Sequence, residues 1–489
     1  MMSGVRPQGL VMLAIGRAIV VMAVVATVIG DASRSADGLA CPTVQEIHPC
    51  TCKVKSRGLS IACENVDEAQ VLMSMSVLKN RSTVLYRLMF RNFDFPRVHD
   101  YSFLGLEVKH LTMSKTNISV VEDSSLRTLA RDLETLDLSY NSLKAVPTTA
   151  LMHLQNLSFL NLNYNMIKVL GQAVFMGLKA LERLSLYNNQ INHIDDNAFF
   201  GIGNKLYRVN LGKNHLVDVP NLHTLEKLEV LSLSENFITT ILEGSFLGLN
   251  KLDVLMLENN KLVVLEANVF SAISSLNSLN LKHNLITNIS DLAFSGLEDN
   301  LEWLEIGHNR LDHIPSHALR PLLNLRQLDL DSNRITHVAE DAFERYGESL
   351  KFLMLNRNNI REFLPMTFFD LHSLEWLKLS HNDLTHLSED TVLPILDTLT
   401  MIDLSHNPLE CDCDLMWLTH WLQEFMRRET YTVMAPHTCT RRKKRTYNII
   451  DLRASEMGCP EYNVIGGSAA SPPVLSGLTM CLLVASLRT

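Results

Sequence analysis

Three carboxylates offer the most concentrated chemistry in the chain. Glu305 and Asp329 hold the same place in successive copies of one sequence pattern, LEWLEIGHN and LRQLDLDSN, and Asp331 follows two residues later. Equivalent positions on neighbouring strands lie about 5 Å apart. That separation suits paired-carboxylate acid/base chemistry or oxygen ligation of a cation. An open sheet face does little to desolvate a general acid, so a plain acidic patch is the expectation. His283, His308, His381 and His406 each precede a recurring asparagine. Only adjacent copies can bring two of them together, so a polar rim is expected, with a metal pair as the alternative. The sequence holds no H-E-x-x-H, G-x-S-x-G or phosphate-cradling G-x-x-x-x-G-K. No catalytic residue, cofactor or metal is assigned, and the chain is expected not to be an enzyme.

Aromatic residues of the same pattern are more informative. Trp303, Phe352, Trp376 and Met401 stand at the first outward strand position of their copies, and Met354 at the next. A solvated sheet face has no structural need for them. Side by side they would form an apolar ladder beside Glu305 and Asp329, and exposed aromatic clusters mark partner sites. The alternative is that these side chains merely pack on one another.

The elements that position these residues repeat. Segments such as LETLDLSYNSL at 133, LNSLNLKHNLI at 276 and LTMIDLSHNPL at 399 recur, with asparagines at 141, 165, 189, 214, 236, 260, 284, 309, 333, 358, 382 and 407, spaced by 22 to 25 residues. Two weaker copies begin at Leu85 and Val108, with Phe93 and Thr116 in the asparagine position, making fourteen in all. Leucines alternate inward as on a short strand. The asparagine amide is placed to satisfy turn backbone that no ladder reaches. One coil cannot bury both its faces, so only stacking stabilises it. A phenylalanine recurs on the return path at 103, 175, 199, 246, 270, 294, 343 and 368, with Leu319 and Leu393 as substitutes, and predicts an aromatic spine.

Nine cysteines fall at 41, 50, 52, 63, 411, 413, 439, 459 and 481, none of them between Cys63 and Cys411. Two groups of four point to disulfides in an oxidising compartment; C-x-C pairs fit structural zinc poorly. Spacing alone leaves three connectivities per group.

The pattern L-x-x-L-x-L-x-x-N-x-L resembles the leucine-rich repeat. Cys41-Pro42…Cys50-Thr51-Cys52…Cys63 and Asn407-Pro408-Leu409-Glu410-Cys411-Asp412-Cys413 with Trp417, Trp421, Cys439 and Cys459 resemble the terminal caps of extracellular proteins of that kind. The resemblance implies an α/β solenoid: a horseshoe of about fourteen coils with a parallel sheet on its concave face, roughly 65 Å long. It also implies the pairings Cys41–Cys52, Cys50–Cys63, Cys411–Cys439 and Cys413–Cys459. Trp417 and Trp421, four apart on a predicted helix, are expected in the cap core.

The two ends read as addresses. Arg6, an apolar run from Ala18 to Ile29 and the small residues after it read as a secretory signal peptide over 1–32, with a retained signal anchor as the alternative. After Cys459 come small residues, Gly466 to Ala470, a short Pro spacer and an apolar run, Val474 to Ser486. As a helix that run spans about 20 Å, short of a hydrocarbon core of about 30 Å, and the arrangement reads as a GPI-anchor signal attached at Gly467 or Ser468. Removing it removes Cys481 and leaves an even number of cysteines. The expected organisation is signal peptide 1–32, N-terminal cap 41–75, repeats 76–407, C-terminal cap 408–460, stalk 461–470 and anchor propeptide 471–489.

The chain of 489 residues is 46% hydrophobic with 44 basic and 53 acidic residues, which excludes disorder for most of its length and disfavours nucleic-acid binding. Arg441 to Arg445 is a basic run able to take an acidic glycan or be cut, though a solvated loop is the plainer reading. N-x-S sequons at Asn80, Asn117, Asn156 and Asn288 are expected glycosylation sites. With an anchor signal added, the chain resembles the chaoptin and connectin group of GPI-anchored adhesion proteins. That resemblance implies a cell-surface protein binding another protein, or a second copy of itself, through the concave face. The alternatives are a secreted non-catalytic partner of an enzyme and a pattern-recognition protein of innate immunity.

Overall fold

The computed structural model describes residues 40–80, 84–425, 436–441 and 445–459; the signal peptide, the anchor site at Gly467 and Ser468, and Cys481 lie outside them. Leucines spaced two and three apart dictate the coil. Leu276, Leu279 and Leu281 are fully buried, while Ser278 and Asn280 between them face outward, half-buried. One sixteen-stranded sheet runs the length of the solenoid. It opens with an antiparallel hairpin, Thr51–Lys55 against Gly58–Glu64. Fourteen coil strands then follow in chain order, from Val84–Arg91 to Met401–Asp403, all parallel in the pairs they form.

Register is what builds a surface. Trp303, Gln327, Phe352, Trp376 and Met401 pair in turn across five strands, and Glu305, Asp329, Met354, Lys378 and Asp403 form the adjacent row. Each row is a column of outward side chains about 4.8 Å apart.

Each asparagine closes a turn and ties it to the coil before. Asn260 Nδ2 donates to Leu257 O (3.0 Å) in its own coil and Leu233 O (2.9 Å) in the preceding one, and its Oδ1 accepts from Ile238 N (3.0 Å). The twelve repeat asparagines are between 1% and 8% exposed, so these bonds are made away from water. The residue before each has a left-handed backbone, φ from 53° to 58°, in all twelve coils from Tyr140 to His406. Side chains rarely adopt that conformation, and the buried amide bonds hold it. In the weaker copies, Thr116 is buried and donates from Oγ1 to Asn141 Oδ1 (3.0 Å), while Phe93 packs against Phe90 with centroids 6.3 Å apart. Their strands are eight residues long against three in the next coil.

The spine forms as expected along most of its length: Phe270 stacks between Phe246 (6.0 Å) and Phe294 (6.2 Å). Leu393 departs from it. A helical turn at Glu389–Val392, running into a tight turn at Leu393–Ile395, buries Val392 and Ile395 and leaves Leu393 59% exposed.

Disulfides close both ends, with Cys41 bonded to Cys52, Cys50 to Cys63, Cys411 to Cys439 and Cys413 to Cys459. At the start, helix Glu68–Lys79, capped by Asp67, buries Val71, Met75 and Leu78. At the finish, helix Met416–Phe425 covers the last coil, and Trp417, buried, donates from Nε1 to Leu387 O (2.8 Å). Trp421 packs on the same core, half-buried. Among the described residues no helix is long and apolar enough to cross a membrane.

Candidate functional site

The sheet register brings the aromatic residues together. The Trp303 and Phe352 rings stack with centroids 6.1 Å apart and 18° between planes, although the strand of Gln327 lies between theirs. Phe352 meets Trp376 edge-on at 5.1 Å, and Lys378 Nζ lies 5.9 Å from the Trp376 centroid. These rings, with Met354 and Met401, are half-buried: they pack on one another and still present apolar surface outward.

Glu305, Asp329 and Asp331 also converge, but not as a bare acidic patch. Lys282 Nζ stands among them, 2.5 Å from Asp329 Oδ2, 3.7 Å from Glu305 Oε2 and 4.0 Å from Asp331 Oδ1. Gly307 makes room for it: a Cβ there would fall 2.1 Å from Asp331 Oδ1 and 3.0 Å from Lys282 Cε. His308 Nε2 reaches Asp331 Oδ2 at 3.2 Å, and Gln327 Nε2 donates to Glu305 Oε1 at 3.4 Å. The expectation that an open sheet would leave these acids well solvated is corrected. The Asp329 side chain is only 8% exposed. Burial, then the neighbouring Asp331, pushes its carboxyl up against the pull of Lys282. Burial raises Glu305 likewise. Lys282 would be lowered by its own burial, but the three carboxylates hold it above the ordinary lysine value.

The acidity extends beyond this cluster. Burial raises Glu258, whose Oε2 is buried without a hydrogen-bond partner. Burial followed by Glu229 and Glu302 raises Asp253. Lys282 itself was legible as the outward residue before His283, but its reach across a coil depends on the glycine opposite, which a single repeat does not reveal.

The histidines fall into the two expected pairs. His283 stacks on His308 at 4.0 Å and His381 on His406 at 4.1 Å. Burial, followed by the paired ring, lowers His283 and His381. The set among the described residues best arranged to ligate a cation is elsewhere: His386, Glu410 and Asp412, at the joint of last coil and cap, offer ligand atoms within 4.8 Å of one another. His386 Nε2 lies 3.0 Å from Asp412 Oδ2 there, so a direct contact between imidazole and carboxylate accounts for the arrangement.

A second aromatic column escaped the sequence reading. Tyr140 stacks on Tyr164 at 4.0 Å, Tyr164 meets Tyr187 at 5.7 Å, and Lys115 Nζ lies 5.3 Å from the Tyr140 centroid. These tyrosines straddle two positions of the repeat, the αL residue and the one before it, which hid their alignment. The sequon residues Asn80, Asn117, Asn156 and Asn288 are all exposed. Asn117 and Asn156 use their amides within the protein, donating to Asp94 Oδ1 (3.1 Å) and Arg131 O (2.8 Å). Of the basic run, Arg441 lies over Tyr447 at 5.8 Å, and residues 442–444 fall outside the described set.

The leucine rich repeat profile matches the chain in overlapping windows from residue 106 to 409. No curated protein matches it by sequence. Among solved structures, a leucine-rich repeat protein of Leptospira interrogans is 26% identical, with a TM-score of 0.56, 68% of this chain covered and 82% of that one. A Toll–Spatzle complex from Drosophila superposes with a TM-score of 0.58 at 17% identity, covering 81% of this chain and 58% of its counterpart. An LRIM1/APL1C complex gives a TM-score of 0.56 at 18% identity, over 79% and 68% of the two chains. Below 25% identity these likenesses concern the fold alone. With the profile covering well over half of its length, this chain belongs to the leucine-rich repeat family, as a solenoid stapled by disulfides at both ends.

Proposed function

We propose that the protein recognises another protein outside the cell, through the face that carries the long sheet, as an adhesion molecule or a receptor or co-receptor subunit. The observation that carries this reading is the Trp303–Phe352–Trp376 ladder, with Met354 and Met401 beside it. A fold that needs only leucines inward has no use for half-exposed rings outward, whereas an interface uses tryptophan as an anchor. Four disulfides support an oxidising compartment. Toll with Spatzle and LRIM1 with APL1C are assemblies built on the same scaffold, and the proposal carries that use to this chain.

The address segments complete the reading: a signal peptide over 1–32, a GPI anchor at Gly467 or Ser468, glycans at the four sequons, and a place beside the chaoptin and connectin group. A secreted partner of an enzyme, or an immune recognition protein, is the second reading. The test expresses the full chain in non-adherent cells and scores clustering, with and without phospholipase treatment. Clustering that phospholipase abolishes, and that Trp376→Ala weakens by about 2 kcal/mol or more in contact affinity, supports adhesion through this face. Clustering or partner capture indifferent to Trp376→Ala in a folded protein removes it.

A further inference from the structure

We infer that the surface seated on this face is basic: a protein segment in which lysine or arginine side chains flank an apolar or aromatic anchor. The inference rests on the reading of the sheet face as an interface and specifies what that interface accepts.

Charge is segregated along the sheet. In the outward strand segments 229–235, 253–259, 277–283, 302–308 and 326–332, eight carboxylates stand against two cations, Lys282 and Arg326. In the corresponding segments from Tyr86 to Lys213 the balance reverses, with seven cations against three carboxylates. In the last three coils, segments 351–357, 375–381 and 400–406, three cations, Lys351, Arg357 and Lys378, stand with two carboxylates, Glu375 and Asp403. The acidic stretch therefore meets the aromatic ladder at its Trp303 end, where Trp303 and Glu305 sit two residues apart on one strand and on one face.

Glu302 pairs with Arg326 at 3.3 Å and Glu235 accepts from the Tyr187 hydroxyl, but others of these carboxylates are underpaired. Lys282 serves three acids at once. Glu258 Oε2 and Asp331 Oδ1 are buried without hydrogen-bond partners. Buried anions cost stability unless they are paired, and cations from outside would relieve that cost. The ammonium of Lys282 already fills the point where Glu305, Asp329 and Asp331 converge, which denies a divalent ion the oxygen cage it needs. What remains suits separate cationic side chains arriving one by one. A guanidinium can pair with Glu305 and stack on Trp303 in one pose.

The test uses the secreted, disulfide-bonded protein and three probes: an Arg-Leu alternating peptide, a Glu-Leu alternating peptide, and calcium chloride alone. Peptides of about eight residues span the five coils when extended. Binding is followed by calorimetry and by tryptophan emission. The Arg-Leu peptide is expected to bind, about tenfold more weakly to a Glu258→Gln/Asp253→Asn variant and progressively more weakly as salt rises. A matched variant on the return turns, Asp196→Asn/Glu243→Gln, should leave its affinity unchanged. Equal loss in both variants, equal binding of the Glu-Leu peptide, or saturation by calcium with the same sensitivity to the first variant would each overturn the inference. The clustering assay separates the two levels of the argument. If Trp376→Ala weakens clustering while Glu258→Gln/Asp253→Asn does not, the interface stands and its basic partner falls; if neither variant matters, both fall.

Discussion

Lys282 Nζ lies 2.5 Å from Asp329 Oδ2 although a whole coil separates the two residues. The contact exists because the intervening coil presents Gly307 at the position that Lys282 holds in its own. The same device recurs upstream, where the Tyr187 hydroxyl donates to Glu235 Oε1 at 2.7 Å across the coil of Gly212. Missing side chains therefore let long ones couple next-nearest coils, which adds a longer-range term to an otherwise nearest-neighbour fold.

Filling that gap should be costly. Gly→Ala at an unstrained site usually stabilises by about 0.4–1 kcal/mol through the unfolded state. At Gly307 the new Cβ would stand 2.1 Å from Asp331 Oδ1, so Gly307→Ala is expected to destabilise by about 1–3 kcal/mol in urea unfolding. Gly212→Ala meets its neighbours at 3.1 to 3.3 Å and should be milder. A Gly307→Ala protein at least as stable as the native one would contradict the lysine's path.

Removing the cation tests the same cluster from the other side. Lys282→Met leaves Asp329 and Asp331 in place without their charge partner, at an expected cost of about 3 kcal/mol at neutral pH. The sign with pH follows from the carboxyls. Asp329 is already raised in the fold by burial and by Asp331, and without Lys282 it rises further. A raised acid weakens the folded state while ionised and stops doing so once protonated. The deficit relative to the native protein should therefore shrink as pH falls from neutral toward the ordinary carboxylate range. A deficit constant across that range would mean that packing, not charge, is what Lys282 contributes.

Most of the fold could be read from the chain because the repeat states its geometry in residue types: leucines for the interior, asparagine for the turn, phenylalanine for the spine. What could not be read depends on relations between coils. Lys282 was invisible as a partner until Gly307 and Asp329 were aligned in space. Leu393 looked like a spine residue by spacing, but a local helical turn shifted the inward position to Val392. The ladder at Trp303, Phe352 and Trp376 was legible because strand register is fixed by the leucines; that its rings pack on each other while remaining half-exposed was not.

The asparagine ladder itself predicts a specific asymmetry. Asn260 donates two hydrogen bonds and accepts one, all buried. Asn260→Asp keeps the acceptor for Ile238 N but turns both donations into contacts between carboxylate and carbonyl oxygens. It should cost more than Asn260→Ala, which forfeits the bonds at about 1–3 kcal/mol for the unsatisfied groups. Denaturant midpoints of the two variants decide this, and Asp tolerated better than Ala would mean that the acceptor bond alone holds the turn.

The C-terminal cap carries a titrating group whose effect has the opposite sign to that of Asp329. His437 is 4% exposed, with Nε2 buried and unpartnered. Burial lowers its pKa against the opposing influence of Asp403 and of a hydrogen bond to the Ile402 backbone. It folds as the neutral ring, so the unfolded chain binds a proton more readily. The stability it permits is whole above the unfolded value of about 6.5 and is lost as pH falls through the window below it. His437→Gln, which cannot titrate, should remove part of the decline in melting temperature between about pH 7 and about pH 5. The loss should register in the near-ultraviolet signal of Trp417 and Trp421 before the coils melt, because His437 leads directly into the strand that Cys439 fastens to Cys411. An unaltered slope in His437→Gln would place the acid sensitivity in the histidine pairs of the coils instead, where His283 and His381 are lowered by burial and by their stacked neighbours.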